Sequence, residues 1–385
     1  MAVNLVNPPR NTSHTHENIF RLLLLDNAAA RESVGRLLTY YRRVATLPGM
    51  TLVASYLLAS ESLLVSKALE AGGLRLHGRE AHQLRPLSFT FPLPERGRCM
   101  ARIGETQAFA SVSADIVDVP DSASSMTRHG LLEFHVRVDH ASGSAANAGG
   151  QQAYRHAQDS AQHIARYLER VIKTSKALDT ELLCIVAGQK LWSVRVDVAL
   201  LSDDGNCLDC CAWAVIAALR HYRRPEVTVR SGHVVVFGPE ERDPVPLALH
   251  HTPITFRCAI FDVTGTTAGH AAGAGGARWL LDPSASEADA ASATVDLAID
   301  EVGNLCGLRM NGAGSDIDFA STVRDSMLPT VTAVAAKVHL DLNSALAEDE
   351  ARRKSTYMKR FEWAKLRLGV AKRERSDEPI AAAAA

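Results

Sequence analysis

The sequence predicts an α+β fold built as two related lobes. Three features predict it. Apolar and polar residues alternate with period two through 98–119 and again through 131–138, which marks strands. The segment 209–222 has helical character yet is apolar nearly all round, so it belongs inside a layered core. Past a proline-rich stretch, the order of strands followed by helices starts again. The bulk numbers agree: 385 residues, 46% hydrophobic and 22% charged, are enough for two cores. That balance excludes a collagen, a coiled coil and a largely disordered chain. Lys+Arg 42 against Asp+Glu 43 gives a net charge of −1, so contact with nucleic acid requires a local patch.

The elements follow in order. Residues 1–18 are polar and expected to be mobile, and nothing in them reads as a signal peptide. Ile19, Leu22, Leu23 and Leu25 start a helical face that Val34, Leu37 and Leu38 continue. Pro48-Gly49 interrupts it, a second helix spans about 52–71, and Gly72-Gly73 closes it. The longest apolar run, 52–65, contains Ser55, Ser60, Glu61 and Ser62, so no membrane span is expected. Small-residue loops at 121–129 and 141–150 separate the first strands from a helix at about 154–177. Strand-like segments at 182–187 and 191–201 precede the apolar helix, and 234–237 closes the block. Pro239, Pro244, Pro246 and Pro253 make 239–253 an extended crossover. The second lobe has strands near 254–263, 277–282, 293–299 and 305–310, then helices over about 316–346. Its Gly/Ala-rich loop at 264–276 is expected to be disordered. These divisions give a helical N-terminal extension over 1–57, a first domain over 58–246, a second over 247–347 and a charged tail over 348–385.

The helix at 154–177 carries the most chemistry. At 100° per residue, Arg155, Arg170 and Lys173 fall within about 40° of Arg166. Ala157, Ala161, Ile164, Leu168, Val171 and Ile172 fall on the opposite side. One face packs and the other is a cationic stripe suited to a phosphate backbone. A solvated face is the plain alternative. A second element is the strand through Asp197 and Ala199, which enters an acidic turn at Asp203-Asp204-Gly205-Asn206 and feeds the apolar helix through Cys207, Leu208 and Asp209. Carboxylates at such a turn can hold a metal or act as acid or base. Otherwise Asp-Gly-Asn builds the turn and Asp209 complements the helix N-terminus.

Cys207 and Cys210 have C-x-x-C spacing, but no second pair follows, so zinc is not expected. Seven cysteines at low density read as free thiols in a reducing compartment. His250-His251 and His14-Thr15-His16 lack partners at ligand spacing, and Gly312-Ala-Gly314 fits no phosphate-binding loop. No cofactor is implied.

Several stretches together resemble the RNase PH family, and within it the non-catalytic subunits of exosome rings. They are Leu74-Arg-Leu-His-Gly78-Arg79, Arg102-Ile-Gly104-Glu-Thr106, the block from Ser175 to Gly188, the run from Trp192 to Asn206, Tyr222-Arg223-Arg224-Pro225-Glu-Val, and the stretch from Gly238 to His251. The resemblance covers about 58–347. It implies two ββαβα-type lobes, hetero-oligomeric partners among RNase PH-like ring subunits and cap subunits, and RNA in a central channel. It further implies rRNA processing and mRNA turnover, in the nucleus, nucleolus and cytoplasm, and no membrane partner.

In active members phosphate attacks the RNA 3′ end, which requires an anion pocket and assisting acids. Active relatives carry Asp-Cys-Asp and then Ala-Asp-Gly-Gly-Thr-Arg-Thr. Here Asp197 matches the first acid, the second falls on Ala199, Asp204-Gly205 survive, and Thr-Arg-Thr falls on Cys207-Leu208-Asp209. Leu208 offers a phosphate neither charge nor donor. Asp209 brings a like charge, worth about 1 kcal/mol at 4 Å in water and about 4 at an effective dielectric of 20. Asp197, Ala199, Asp204, Leu208 and Asp209 therefore read as a degenerate active site without phosphorolysis of its own. An active phosphorolytic 3′–5′ exoribonuclease is the alternative. In rings of this family the matching helix lies near the RNA path, which makes Arg155, Arg166, Arg170 and Lys173 the RNA-contact candidates.

Overall fold

The computed structural model describes residues 65, 75, 78–119, 129–138, 151–230, 233–261, 278–312 and 321–376, the side chains of 151–157, 278 and 359–376 excepted. They divide into two compact units at Lys337/Val338. The expected helices of 1–57, and the loops at 121–128, 141–150 and 264–276, lie outside the described residues.

The first sheet is built from β1 (Leu87–Thr90), β2 (Arg98–Ile103), β3 (Thr106–Asp118), β4 (Leu131–Val138), β5 (Cys184–Val186) and β6 (Lys190–Ser202). Its order is β1-β2-β3-β6-β4, with β5 paired to β6. Among the described residues, β4 and β6 are the one parallel pair in this sheet. A parallel pair needs a long crossover, and helix α1 (Gln151–Glu169) supplies it. Alternation sorts the two long strands: Ala108, Ala110, Val112, Val194, Val196, Val198 and Leu200 are buried on one face. Phe109, Ser111, Asp197 and Ala199 alternate with them and take the other face.

Helix α2 (Cys207–His221) packs on β2, β3 and β6 and also on the second sheet. That position explains why it is apolar on every side. Trp213 makes the joint: its Nε1–H donates to the Thr255 carbonyl at 2.8 Å, and its ring meets Phe256 edge-on at 5.7 Å. Beyond α2, β7 (Arg223–Arg224) pairs with β10 (Val245–Pro246), so the proline-rich crossover is tied back to the first lobe. Between them β8 (Val227–Arg230) and β9 (His233–Val236) form a hairpin.

The second sheet contains β11 (Ile254–Phe261), β12 (Arg278–Leu281), β13 (Ala293–Ile299) and β14 (Leu305–Gly312), in the order β12-β11-β13-β14. Val65, helical as expected, joins Ala259, Phe261 and Leu280 in an apolar cluster on this sheet. Helix α3 (Ala285–Ala290) was not expected, although Ser284 and Glu287 spell its capping box.

Other boundaries differ from the periodic reading. Helix α1 begins at Gln151, and its last turn, Arg170–Thr174, widens into a π-turn. A wheel drawn at 100° per residue therefore loses register there. The segment expected as a strand from 182 begins with a short 3-10 turn at Glu181–Leu183. After a second π-turn at Thr322–Met327, helix α4 (Leu328–Ser376) continues through much of what reads as a charged tail. Asp349 accepts from both Arg352 and Arg353, the i,i+3 and i,i+4 pairing that supports a polar helix.

Candidate functional site

The acidic turn between β6 and α2 has an unusual backbone. Gly205 has φ +91° and Asn206 follows at φ +56°, both left-handed. Asp203 Oδ1 accepts the Gly205 N–H at 2.9 Å. Thr106 Oγ1 donates to the Gly205 carbonyl at 2.8 Å and accepts the Asp204 N–H at 3.1 Å. A Cβ on Gly205 would stand 2.3 Å from the Ala285 nitrogen, so the turn lies directly against the backbone of the second lobe.

A buried ion cluster pins that contact. Arg85 donates to the carbonyls of Asp204 (3.1 Å) and Gly205 (2.9 Å), and grips Asp282 through Nε (2.9 Å) and Nη2 (2.8 Å). Asn206 Nδ2 and the Arg85 N–H also donate to Asp282, each at 2.9 Å. Burial would raise the Asp282 carboxyl, but the Arg85 hydrogen bonds and charge hold it below its ordinary value. Behind it, fully buried Arg75 clasps Glu287 at 2.9 and 2.6 Å, and Arg79 reaches Asp282 at 3.1 Å. The stretch around Gly78 thus builds an inter-lobe clamp.

The degenerate positions do not gather in one cavity. Asp197 and Ala199 line a groove of about 720 Å³ together with Phe109, Ser111, His135, Arg137 and Arg195, and Gln158 and Gln162 of α1 form its wall. Arg195 neutralises Asp197 at 3.0 Å. Asp204 is half-exposed at the turn, its carboxylate 3.8 Å from Arg85. Leu208 is 1% exposed, in a cluster with Tyr167, Val171 and Ala298. It also lines a second pocket of about 400 Å³ with Ser160, His163, Cys207, Arg257 and Asn311. Asp209 lines neither.

Asp209 corrects the electrostatic expectation. It is not a charge presented to an incoming anion. It is 1% exposed, its Oδ2 accepts the Arg257 backbone N–H at 2.6 Å, and the Asn206 side chain stands beside the carboxylate. Burial, and then the neighbouring Asp296, push its carboxyl up to about 7, so near neutrality it is only partly ionised. The apolar enclosure of Leu208 is therefore the stronger obstacle to phosphate. Asp296, 0% exposed, is held by Arg257 at 2.7 and 3.2 Å with Arg309 at 3.7 Å. Arg309 also contacts His163 and lies over the Tyr167 ring at 5.5 Å, fastening β14 to α1. These partners sit far apart in sequence and carried no local signal.

Of the cationic stripe, Arg166, Arg170 and Lys173 are exposed, while Ala161, Ile164, Leu168, Val171 and Ile172 are buried, as the wheel predicts. The Arg155 and Ala157 side chains lie outside the described residues. Lys173 is partnered by Glu169 at 2.6 Å, so its charge is shared. Arg170 and Lys173 both stand on the π-turn. The cysteines form no disulfide; Cys210 and Cys211 are buried, and burial pushes the Cys210 thiol up to about 12.

Residues 83–225 match the family described as 3′ exoribonuclease family, domain 1. The exosome complex component RRP45 of Danio rerio is 31% identical over 294 residues, covering 76% of this chain and 68% of that one. The Schizosaccharomyces pombe component rrp45 is 31% identical over 286 residues, covering 74% and 90%. Homo sapiens RRP45 is 33% identical over 238 residues, and this chain spans about half of its length (49%). Among solved structures, one described as an archaeal exosome core superposes with a TM-score of 0.56 at 21% identity, over 75% of this chain and 98% of that one. An Archaeoglobus fulgidus exosome with RNA bound to the active site gives the same score and identity.

Proposed function

The chain belongs to the RNase PH family, and from that premise we propose that it is a ring subunit of an RNA exosome that contacts RNA and performs no phosphorolysis of its own. The kinship to RRP45 supports the ring role: the similarity runs along 90% of the fission yeast component. Partners are then other RNase PH-like ring subunits and cap subunits, and the work is 3′–5′ processing and decay of RNA, rRNA and mRNA included, in nucleus and cytoplasm.

The observation that carries the non-catalytic reading is the enclosure of Leu208. The side chain that would have to hold an anion is a leucine at 1% exposure. The acid beside it is buried and points at a backbone amide. An anion placed there would lose water and gain no donor from residue 208, while Arg257 on the same pocket is already committed to Asp296. The test is direct. Purified full chain is given inorganic phosphate and an oligoribonucleotide; no nucleoside diphosphate is expected, and its release would establish the alternative of an active exoribonuclease.

The RNA contact is assigned to the exposed stripe of Arg166, Arg170 and Lys173, with Arg155 about three turns upstream of Arg166. Arg166→Glu with Arg170→Glu should weaken crosslinking of RNA to the assembled ring and flatten its salt dependence. Unchanged crosslinking would return the stripe to a solvated face.

A further inference from the structure

We propose that the open face of the first sheet holds a slot for one unpaired RNA base, at the row formed by Phe109, Ala199 and Arg137. The proposal rests on the RNA-contact reading above and gives that RNA a second point of attachment.

Strand register builds the slot. Phe109 of β3 pairs with Ala199 of β6, and Ala199 pairs with Arg137 of β4. The next row is Ser111, Asp197 and His135. Neighbouring strands stand about 4.8 Å apart, so the backbones of Phe109 and Arg137 are about 10 Å apart with only a methyl group between them. All three residues line the groove of about 720 Å³. Its walls are thus an aromatic ring on one side and a guanidinium on the other, the two surfaces on which a planar base stacks. Arg137 is exposed and has no ion pair among the described residues. Asp197 on the adjacent row, paired with Arg195 of the row beyond, supplies an acceptor and nearby donors for a base edge.

The far wall leads toward the slot. Gln158 and Gln162 of α1 line the groove, and the same i,i+4 ladder continues into Arg166 and Arg170. From residue 158 to residue 170 the ladder rises about 18 Å. A strand whose phosphates lie along the arginines is therefore directed by the glutamine amides onto the sheet face. The substitution that removes an acid from the family pattern at 199 is the same one that hollows the floor of the slot.

The test uses the assembled ring containing the full chain, with a thiouridine-bearing single-stranded oligoribonucleotide as the photocrosslinking probe. Crosslinks are expected on β3 and β4 as well as on α1. Ala199→Leu fills the hollow, and Arg137→Glu changes an exposed side chain that leaves folding intact. Each should lower crosslinking to β3 and β4 about tenfold while leaving that to α1 in place. If Arg166→Glu with Arg170→Glu abolishes crosslinking while these two variants leave it whole, the slot is wrong and the RNA reading stands. If none of the variants alters crosslinking, both fall. Hydroxyl-radical footprinting supplies an independent check: a Phe109 side chain reactive in the isolated full chain but shielded in the RNA-free ring would mean another subunit covers this face, which overturns the slot.

Discussion

Two buried carboxylates flank the turn that feeds α2, and they are treated in opposite ways. Asp282 accepts from Arg85, Asn206 and Arg79 and stays ionised below its ordinary range. Asp209 accepts the Arg257 backbone N–H, has no cation bonded to it, and burial pushes its carboxyl up to about 7. The contrast separates joinery from remnant. Where charge fastens the lobes together, every lone pair is used. Where the family resemblance points to a lost anion pocket, an acid is tolerated only because burial keeps it partly neutral.

The contrast breaks most visibly at the clamp. Arg85→Met strips Asp282 of its principal cation and leaves the buried acid with only the Arg79 and Asn206 side chains, and should cost about 3–5 kcal/mol in urea unfolding. A loss under about 1 kcal/mol would mean that the cluster is incidental. Gly205→Ala comes next. Its Cβ would meet the Ala285 nitrogen at 2.3 Å in a left-handed conformation, so a loss of about 3 kcal/mol is expected in the same measurement.

Asp209→Asn sharpens the comparison through pH. The folded carboxyl titrates above its unfolded value, so the cost of ionising it is full above about pH 7 and is relieved as pH falls toward 4. The variant should be more stable than the parent at pH 8, on the order of 1–2 kcal/mol, and lose that advantage by pH 5. Parallel stability curves for the two proteins would refute the raised titration. The smallest effect belongs to Lys173→Ala, which breaks an exposed i,i+4 pair and should change the unfolding free energy by less than about 0.5 kcal/mol.

Period-two alternation made the long strands legible, because β3 and β6 each bury one face and expose the other. The apolar helix was equally plain, since α2 lies between two sheets. The clamp was not: Arg75 and Glu287 are 212 residues apart, and only the folded chain makes them neighbours. The groove was half legible. Alternation places Phe109, Asp197 and Arg137 each on the solvent side of its strand, but the row that aligns them depends on register. Helix α3 was missed although its capping box was written in the sequence. The continuation of α4 was missed because a charged stretch reads as solvated tail until its intrahelical ion pairs are seen.

The backbone contact at Gly205 has a mechanical consequence. Where two lobes touch through a turn with no side chain between them, there is no cushion to compress and no gap to close. Bending there would have to drive Gly205 into Ser284 and Ala285, so the body that carries both sheets resists flexing as a cut stone does in an arch. An annulus keeps a constant bore under load only when its segments are stiff. The glycine that admits this contact contributes to that stiffness.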